Sequence, residues 1–472
     1  MDENEIFKPI GAFQNEAGIQ PEAPLGNPVS FPPPSELPSA PPPSKLFGVL
    51  KILLGIIIVV ALISIIYNMV LPKFFPDKIN QVTLTYWGVL EDPQTVAPII
   101  SDFEKLHPNI KIQYSKQDMD QYRDRLIIRS NNGNGPDVFS FHNTWVPELS
   151  GLLLPIPSNV ISKEDFSKNY YPVVKTDLIK NGAIYGLPSE IDTLNLFINK
   201  DLFQAAGLKA PDTWIDFMNY AKQLTVKDDK NNIKTAGAAM GTFSNVAHAP
   251  SILSMLFVQN GVNLNDMASN PSAVSDALNF YTSFALSQGN VWDDTLDESI
   301  KAFASGSLAM YFGYSWDFFT IKSMNPNLSF DIAPVPSLPG QNMTIASYWA
   351  QGVSSKTRYQ REALLFLQYL SSKDTERKLF AQEAAVRNFG EPYARIDLAS
   401  SLSNSIAYPF VLGAQSAISS YFIDGTNDNG INVKMNNYLN TAIDSILKGG
   451  SPSSAAETLS SGVSQTLSQY GQ

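Results

Sequence analysis

The sequence predicts an α/β protein with two lobes, preceded by a proline-rich tail and a membrane-spanning helix. Three observations support this fold class. The chain has 472 residues, which is more than a single compact core usually holds. A run of 20 residues near its start, Ile52 to Leu71, carries no charge. From 81 onward, strand-like and helix-like apolar patterns alternate, which is typical of α/β folds.

Composition excludes several classes of function. The formal net charge of -11 argues against a nucleic-acid partner, because phosphates require a basic surface. The chain has no cysteine, so disulfides, thiolate nucleophiles and thiolate metal sites are excluded. We find no HExxH, GxSxG or Walker motif, and no GxGxxG after a strand. We therefore expect neither a metal nor a cofactor, although an enzyme that uses only carboxylates stays open.

The stretch 1–45 is the predicted tail. Between Pro21 and Pro43, ten of 23 positions are proline, and large aliphatic residues are scarce. Such a segment cannot bury a core, so we expect it to be extended or disordered. A polyproline ligand for a partner protein is the alternative interpretation.

The stretch 46–71 is the predicted transmembrane helix, and 72–80 is the linker that follows it. A helix of this length spans about 30 Å, which matches the core of a bilayer. A cleaved signal peptide has a shorter apolar core close to the N-terminus, so the long stretch before this one favours an uncleaved anchor. Lysines flank both ends of the helix, so charge alone gives little bias in orientation.

The α/β pattern begins with three strands separated by two helices. The strands read VTLTYW, IKIQY and DVFSF, and the glycine turn NNGNGPD precedes the third strand. The first helix has apolar residues at helical spacing and ends before Pro108. This order implies a mainly parallel sheet with helices on both faces. Ligands in such sheets lie beyond the carboxyl ends of the strands, where this sequence has Trp87, Asn143 and Trp145.

The second half of the chain is richer in helix. The stretch DTWIDFMNYAKQLT has an apolar stripe that includes Trp214, with Asp212 or Thr213 as the N-cap. The stretch REALLFLQYLSS has a similar periodicity. Phe330 to Gly340, FDIAPVPSLPG, is predicted to be a strand whose three spaced prolines form a stiff crossover between lobes.

Four stretches occur in a fixed order along the chain. They are NGNGPDVFSF, YGLPSEIDTLNLFINKDLFQAAGL, APDTWIDFMNYAKQLT and AFASGSLAMYFGYSW. Together they resemble the extracellular solute-binding proteins of ABC transporters, in the family that contains maltose-binding protein. The resemblance spans roughly Val82 to the C-terminus. The chain departs from the family's usual cleaved signal or lipidated cysteine, and its counterpart of the family's glycine-rich loop reads IASYWAQGVSS.

The resemblance implies a two-lobed, periplasmic-binding-protein-like fold (type II) with the ligand in the cleft between the lobes. Lobe 1 is expected to comprise 81–187 and 333–395, and lobe 2 is expected to comprise 188–332 and 396–472. The expected partners are ABC permease subunits in the membrane, and the chain is expected to be a monomer. On this function we place the protein in the cell membrane as a single-pass protein, with its large C-terminal domain extracellular.

A carbohydrate offers hydroxyls in fixed directions and apolar C–H faces, so its site needs flat aromatic rings and planar hydrogen-bonding groups. By resemblance, Trp316 stands at the spacing of the family's stacking tryptophan, and Asp192 falls where the family has a ligand-bonding acid. For each tryptophan the alternative is core filling, and for Arg387 it is an ion pair. The predicted ligand-binding residues are Trp87, Asn143, Trp145, Glu190, Asp192, Trp292, Trp316, Trp349 and Arg387.

Glu190 and Asp192 raise the question of catalysis. A glycosidase needs two carboxyl groups across one bond, about 5–9 Å apart, with one pKa raised. In an extended segment, carboxyl groups two residues apart share a face at about 6–7 Å. Both then lie on one side of a ligand and do not flank a bond. We therefore interpret them as hydroxyl acceptors, and the protein as a binding protein and not an enzyme.

We predict a membrane-anchored, extracellular substrate-binding component of an ABC importer, which captures a carbohydrate by hinge closure. An oligosaccharide is the expected ligand. A second hypothesis is the same fold with a non-sugar solute, where a cation needs several acids among the aromatic residues and an anion needs several basic ones. A third is a surface carbohydrate-active enzyme that uses Glu190 and Asp192, and a fourth is a sensor whose tail signals inside the cell.

Overall fold

The computed structural model describes residues 46–66, 81–286, 289–424, 426 and 429–471, without the side chains of 46–52. Three predicted segments lie outside the described residues, namely the tail 1–45, the linker 72–80 and the end of the predicted span, 67–71. The chain divides into two compact units, Met1–Asp77 and Lys78–Gln472.

The first unit contains helix α1, Leu46–Ile65, with the sequence LFGVLKILLGIIIVVALISI. From 53 to 66 every side chain is exposed, and most of these side chains are large and aliphatic. Within the part of the chain that the structure describes, no helix is both long and apolar enough to cross a membrane.

The second unit is built from short strands and helices. Its strands are β1 (Val82–Gly88), β2 (Ile110–Lys116), β3 (Val138–His142), β4 (Ile179–Lys180), β5 (Ala183–Ile184), β6 (Leu187–Pro188), β7 (Asp192–Thr193), β8 (Asn195–Asn199), β9 (Val226–Lys227), β10 (Ile233–Ala238), β11 (Leu308–Gly313), β12 (Phe330–Ala333), β13 (Ala346–Ser347) and β14 (Trp349–Val353). Its helices are α2 (Pro93–Leu106), α3 (Tyr122–Asn131), α4 (Val146–Leu149), α5 (Lys163–Asn169), α6 (Pro172–Leu178), α7 (Lys200–Ala206), α8 (Trp214–Leu224), α9 (Ala249–Gln259), α10 (Pro271–Thr282), α11 (Ser299–Ala304), α12 (Ser315–Met324), α13 (Gln360–Leu370), α14 (Lys373–Ala384), α15 (Tyr408–Leu412), α16 (Ile431–Leu447) and α17 (Pro452–Gln469). Short 3-10 segments are Asn143–Trp145, Met267–Ser269, Ile396–Leu402 and Gly413–Ser416.

The first sheet has five strands in the order β2-β1-β3-β14-β6. Strand β1 runs parallel to β2 and β3, whereas β14 runs antiparallel to β3 and β6. We call this sheet and the helices packed on it lobe 1. Strand β3 is buried along its whole length, as expected for a strand that is covered on both faces.

The second sheet, in the order β12-β8-β11-β10-β9, is the centre of lobe 2. Strands β10 and β11 are parallel, but β8 runs antiparallel to β11 and β12. Strands β1, β2 and β3 are therefore parallel, as predicted, but the antiparallel strands that complete each sheet were not predicted. The reason is that β8 and β14 enter from the opposite lobe and run against the strands of the local βαβ units. The predicted strand in FDIAPVPSLPG is present as β12, which ends at Ala333, directly before the first of the three prolines.

Helix α2 shows how the local sequence places its apolar face. Pro93 stands in the first turn, where a missing N–H costs nothing. Val96, Ile99 and Phe103 follow at helical spacing and are buried in lobe 1. This face packs α2 against β2 of the first sheet and against α14.

Helix α8 begins at a cap that the sequence predicted in part. Oγ1 of Thr213 accepts a hydrogen bond from the N–H of Asp216 at 3.1 Å, so Thr213 and not Asp212 is the N-cap. Trp214 is buried at the start of this helix, as the stripe predicted. Its indole N–H donates to Oε1 of Gln259 at 2.7 Å, which ties α8 to the end of α9.

Three crossing stretches lie side by side between the lobes. Strand β7 pairs antiparallel with β13. The N–H of Ile191 donates to the carbonyl of Pro392 at 2.8 Å, and Ile345 forms a bridge with Ile418. Any ligand site between the lobes therefore lies beside these crossings, which connect the two lobes.

Candidate functional site: the cleft between the lobes

Each sheet presents loops at the carboxyl ends of its parallel strands. In lobe 1, β1 ends at Gly88 and β3 ends at His142. In lobe 2, β10 ends at Ala238 and β11 ends at Gly313. Ligands in α/β sheets bind beyond such ends, so the loops that follow are the expected walls of a site.

A buried tyrosine and an exposed tryptophan, Tyr314 and Trp316, follow β11 at the start of α12. The rings of Tyr314 and Trp316 are stacked, with centroids 4.5 Å apart and planes 13° from parallel. The Tyr314 hydroxyl donates to Oγ of Ser251 at 3.0 Å, which fixes its ring. The chain has six tryptophans, all within the described residues, and Trp316 alone among them is exposed, at 40%. A fixed indole with exposed surface can stack on the apolar face of a ligand.

His248 and Asp317 contact Tyr314 and Trp316 and fix their positions. Nε2 of His248 lies 2.7 Å from Oδ2 of Asp317. The same carboxylate oxygen accepts the N–H of Tyr314 at 3.0 Å. The His248 ring lies 5.2 Å from the Tyr314 ring and 6.3 Å from the Trp316 ring. The aromatic pair is therefore held by contacts from two separate elements of lobe 2.

Glu190 and Asp192 lie in the first stretch of chain that crosses between the lobes, which we call the first crossing. Their carboxylates are buried, and each accepts a hydrogen bond from a backbone N–H. Oδ2 of Asp192 accepts the N–H of Ser315 at 2.7 Å, at the N-terminus of α12. Oε1 of Glu190 accepts the N–H of Trp349. Oδ1 of Asp192 has no hydrogen-bond partner in the described part of the chain. Each carboxylate thus positions a neighbouring segment through one oxygen, and the prediction that both residues bond ligand hydroxyls stays a prediction.

Burial raises the pKa of the carboxyl groups that line this crossing. For Glu190 and for Asp192, burial is the largest cause, and the charge of Glu391 adds to it. Burial and the charge of Glu391 also raise the pKa of Glu91, which follows β1. These carboxyl groups are therefore less readily charged than in water, because burial and a neighbouring negative charge both disfavour ionisation.

Trp145 and Trp349 belong to the core of lobe 1, which contradicts their predicted contact with a ligand. Trp145 has no exposed surface, and the two indole rings lie 5.2 Å apart at 80°. Tyr122 and His142 pack against both indoles, and burial lowers the pKa of His142 to about 3. Trp349 lies in strand β14 because that stretch pairs with β3.

Trp292 is also a core residue, which corrects the prediction that it projects from its loop into the cleft. It has no exposed surface. Its indole N–H donates to Oγ1 of Thr242 and to Oδ1 of Asn245, each at 3.1 Å. A buried indole N–H needs an acceptor, and this one finds both acceptors inside lobe 2.

Two predicted contacts remain on the lobe 1 side: Trp87 stays a prediction, and Arg387 takes the alternative role of an ion-pair residue. Trp87, in β1, is partly buried and packs against the core. Arg387 forms ion pairs with Glu383 at 3.2 Å and with Glu391 at 2.7 Å. Its guanidinium also lies 4.8 Å from the centroid of the Phe319 ring in lobe 2. Arg387 is therefore engaged as an ion-pair residue, which is the alternative that the sequence left open.

Sequence reasoning missed a buried ion-pair network beside Trp145. Nη1 of Arg123 donates to Oε1 of Glu148 at 3.0 Å and to Oδ2 of Asp424 at 2.9 Å. Nε1 of Trp145 donates to the same oxygen of Asp424 at 3.1 Å. These contacts bring Asp424 onto lobe 1. Arg123 and Asp424 are 301 positions apart, so no local pattern could reveal the pair.

Asn143 lies at the wall of a cavity of about 470 Å³ between the lobes. Its Nδ2 donates to Oδ2 of Asp177 at 3.0 Å and to Oγ of Ser419 at 2.7 Å. Its Oδ1 accepts the N–H of Tyr348 at 3.2 Å. The amide is thus occupied by protein contacts that join α6, β3 and the crossings. The prediction that Asn143 bonds a ligand directly is corrected to a structural role in this wall.

The predicted residues do not converge on one cavity. Trp316 is exposed in lobe 2, and Trp145 is in the core of lobe 1. Asp192 accepts a hydrogen bond from the first residue of α12, Ser315. Among the residues that the structure describes, no group of three or more His, Cys, Asp or Glu side chains could hold a metal ion. The chemistry that this cleft offers is aromatic stacking and hydrogen bonding.

Comparison with known proteins agrees with the two-lobed fold. A multiple sugar-binding protein of Streptococcus mutans is 23% identical over 323 residues, which is 65% of this chain and 75% of that protein. A probable amino-acid ABC transporter periplasmic-binding protein of Sinorhizobium fredii is 23% identical over 304 residues, 61% of this chain and 68% of that one. The crystal structure of the sugar-binding protein MalE from Xanthomonas citri has a TM-score of 0.67 and 21% identity, and it covers 82% of this chain and 98% of its own.

The family assignment rests on the match to a family model. The model of the family described as bacterial extracellular solute-binding protein matches residues 87–377, which include the second sheet and all strands of the first sheet except most of β1. That range is more than half of the 472 residues. The chain therefore belongs to the bacterial extracellular solute-binding protein family.

Proposed function

We propose that this protein captures a carbohydrate between its lobes, as the extracellular binding component of an ABC importer, and that Trp316 is its stacking platform. The observation that carries the proposal is the exposed indole of Trp316, fixed on Tyr314 directly after the carboxyl end of β11. A sugar ring presents an apolar C–H face that such an indole can cover.

The surrounding groups support a ligand rich in hydroxyls. Buried carboxylates follow β1 and line the first crossing, and hydroxyls are hydrogen-bond donors that such acceptors can bind. Oδ1 of Asp192 is an acceptor without a partner among the described residues. The similar proteins of Streptococcus mutans and Xanthomonas citri are both sugar-binding proteins, which agrees with this ligand class. An oligosaccharide suits a cleft that runs between two lobes.

Hinge closure is the proposed mode of capture. We assign 81–187 and 333–395 to lobe 1, and 188–332 and 396–472 to lobe 2. The ring of Phe389 lies 4.6 Å from that of Phe319, so contacts between the lobes already form on the side of Trp316. A ligand that binds both walls stabilises the closed state by its differential affinity, and the permease then recognises that state.

Binding without chemical conversion is part of the proposal. Glu190 and Asp192 come from one crossing segment and each accepts a backbone N–H, whereas a glycosidase needs two carboxyl groups on opposite sides of the scissile bond. We expect stoichiometric binding of labelled oligosaccharides with no products on long incubation. Appearance of products would move the assignment to a surface carbohydrate-active enzyme.

Isothermal titration across mono-, di- and oligosaccharides tests the function. The variant Trp316→Ala should weaken binding of the best sugar by about tenfold or more, which corresponds to about 1.4 kcal/mol. Tyr359→Ala is the matched control, because Tyr359 is exposed to the same 40% but lies at the start of α13 in lobe 1. Equal affinities of the two variants would refute the platform, and heat from amino acids but not from sugars would change the ligand class.

We further propose that the stretch 46–71, of which the structure describes 46–66, anchors the protein in the cell membrane, with the large domain outside. Support comes from the aliphatic side chains of 53–66, which are exposed along the helix. The double variant Ile57→Lys, Val60→Lys places charges in this segment, at a cost of about 2.5–3.5 kcal/mol each at a bilayer centre. It should move the protein from the membrane fraction to the soluble fraction. Ile128→Lys, at an exposed isoleucine of α3, is the control, and release by both variants would argue against an anchor.

A further inference from the structure

The cavity of about 470 Å³ lies away from the Trp316 platform. Helix α9 separates the two places, because His248 precedes the helix and Gly261 follows it. With 11 residues at 1.5 Å each, the helix alone accounts for about 16 Å. Wall residues come from α6 in lobe 1, from the loop after α9 in lobe 2 and from the crossing segment 417–421. Its volume lies within the usual range of small-molecule sites, about 300–1,000 Å³.

The carboxylate of Asp177 lines one wall of this cavity, and the described residues donate hydrogen bonds to only one of its two oxygens. Asp177 is 8% exposed. Its Oδ2 accepts hydrogen bonds from Asn143 at 3.0 Å, from the Tyr348 hydroxyl at 2.7 Å and from the Ser419 hydroxyl. Its Oδ1 accepts none from the described residues. Because these three hydrogen bonds all end on Oδ2, Oδ1 is available to a donor in the cavity.

The rest of the wall supplies a cation and further hydrogen-bonding groups. Lys180 lines the cavity, and its charge acts on Asp177. The side chains of Asn263 and Tyr421 add an amide and a hydroxyl. The apolar part of the lining consists of Val173, Val258, Val262, Leu264 and Met343.

This set matches the chemistry of a vicinal diol. One hydroxyl can donate to Oδ1 of Asp177, and the neighbouring hydroxyl can accept from Nζ of Lys180. The aliphatic side chains can contact the C–H groups that a small sugar or polyol presents between its hydroxyls. A ligand with a single charge is less suitable, because Asp177 and Lys180 have opposite signs.

We propose that this cavity is a second solute site, which binds a small neutral polyol or sugar through adjacent hydroxyls and is separate from the cleft at Trp316. The proposal does not depend on which solute the cleft takes. It predicts two binding events that different variants remove.

Fluorine NMR of protein labelled with 3-fluorotyrosine can follow the two sites separately. Tyr421 reports on the cavity and Tyr314 reports on the platform, and each signal is assigned by its loss in the Tyr421→Phe or Tyr314→Phe variant. Glycerol, glucose and sucrose are the probes, titrated into the millimolar range. We expect a saturable shift of the Tyr421 signal in the full chain, with the same midpoint in Trp316→Ala.

Thr176→Trp provides the blocking variant. Thr176 is exposed and lines the cavity, so an indole there fills the space without entering the core. It should abolish the Tyr421 shift and leave the Tyr314 response intact. Lys180→Met should weaken binding that is followed by the Tyr421 shift at least fivefold.

No shift of Tyr421 with any probe, or a shift that survives Thr176→Trp, overturns the proposal. A shift with lysine or acetate but not with the polyols overturns the diol chemistry. If the cleft does not bind sugar, the Tyr314 signal will not shift, and titration calorimetry will show no loss of affinity in Trp316→Ala.

Discussion

Arg123→Met removes the cation from the buried network that joins α3 to the segment before α16. Arg123 is 1% exposed, and the two carboxylates that it contacts, Glu148 and Asp424, are nearly as buried. Methionine keeps the length of the side chain but leaves both acids without this partner. Removing one member of a buried ion pair typically costs about 3–5 kcal/mol, because the remaining charge stays desolvated. We expect the free energy of unfolding to fall by about that amount.

Urea unfolding followed by circular dichroism and by tryptophan fluorescence measures this change. Two probes are needed, because a two-lobed protein can unfold in more than one step. Trp145 lies 5.2 Å from the Arg123 guanidinium, so its emission reports on the network directly. Arg129→Met is the control, because Arg129 is exposed on the same helix. Exposed charges contribute about 0–1 kcal/mol, so an equally small loss in both variants would refute the argument that the network is desolvated.

Two further predictions concern packing and pH. Gly237→Ala should destabilise lobe 2 by about 1–3 kcal/mol, because a Cβ there would lie 1.8 Å from the carbonyl oxygen of Ala221. Gly151→Ala, where no atom lies within 4 Å of the added Cβ, should change thermal stability little, and equal effects would contradict the close contact. Burial, followed by the charges of Glu391 and Glu91, raises the pKa of Glu383 from its ordinary value of 4.5 to about 8. Between these values the folded chain holds a proton that the unfolded chain has lost, so this group makes stability fall as pH rises from about 4.5 to about 8. Glu383→Gln should flatten that slope in urea unfolding at several pH values, and an unchanged slope would assign the effect to another group.

Local patterns predicted the local elements well. The apolar spacing of α2, the proline at its start and the threonine cap of α8 are each properties of a few neighbouring residues. They depend on short-range sterics and hydrogen bonds, which the sequence displays directly. For the same reason the first three strands begin and end within about two residues of where the pattern placed them. The mixed direction of the sheets was missed, because it depends on how β8 and β14 cross from the other lobe.

The candidate site was harder to predict than the fold. Trp145 and Trp316 both follow strands of a sheet, and the sequence offers no sign of which one is covered. Trp145 is covered by Arg123 and Trp349, which come from distant parts of the chain. Trp316 instead stacks on Tyr314, two residues away, and keeps its exposed surface. Whether an indole is a core residue or a platform is decided by tertiary contacts, which local sequence patterns do not contain.

Asp192 offers the sharpest test of how the cleft works, because two roles predict opposite results for one conservative change. Its Oδ2 holds the N–H of Ser315 at the start of α12, the helix that contains Trp316. If this positioning is its role, Asp192→Asn keeps an acceptor for Ser315 and should leave sugar affinity within about threefold, since only the charge is lost. Asp192→Ala removes the acceptor, leaves a buried N–H unpaired and should cost about 1–3 kcal/mol of stability, with a change in Trp316 emission.

If Oδ1 of Asp192 instead accepts a ligand hydroxyl, the charge itself matters. A hydrogen bond to a charged group contributes about 1.5–3 kcal/mol, so Asp192→Asn would then weaken binding by roughly 10- to 100-fold. We expect the first pattern, because the carboxyl group is buried and its raised pKa disfavours the charged form that a strong acceptor needs. Titration calorimetry of both variants, with unfolding measured in parallel, distinguishes the two roles. A large loss of affinity in Asp192→Asn at unchanged stability would make this residue a direct ligand contact.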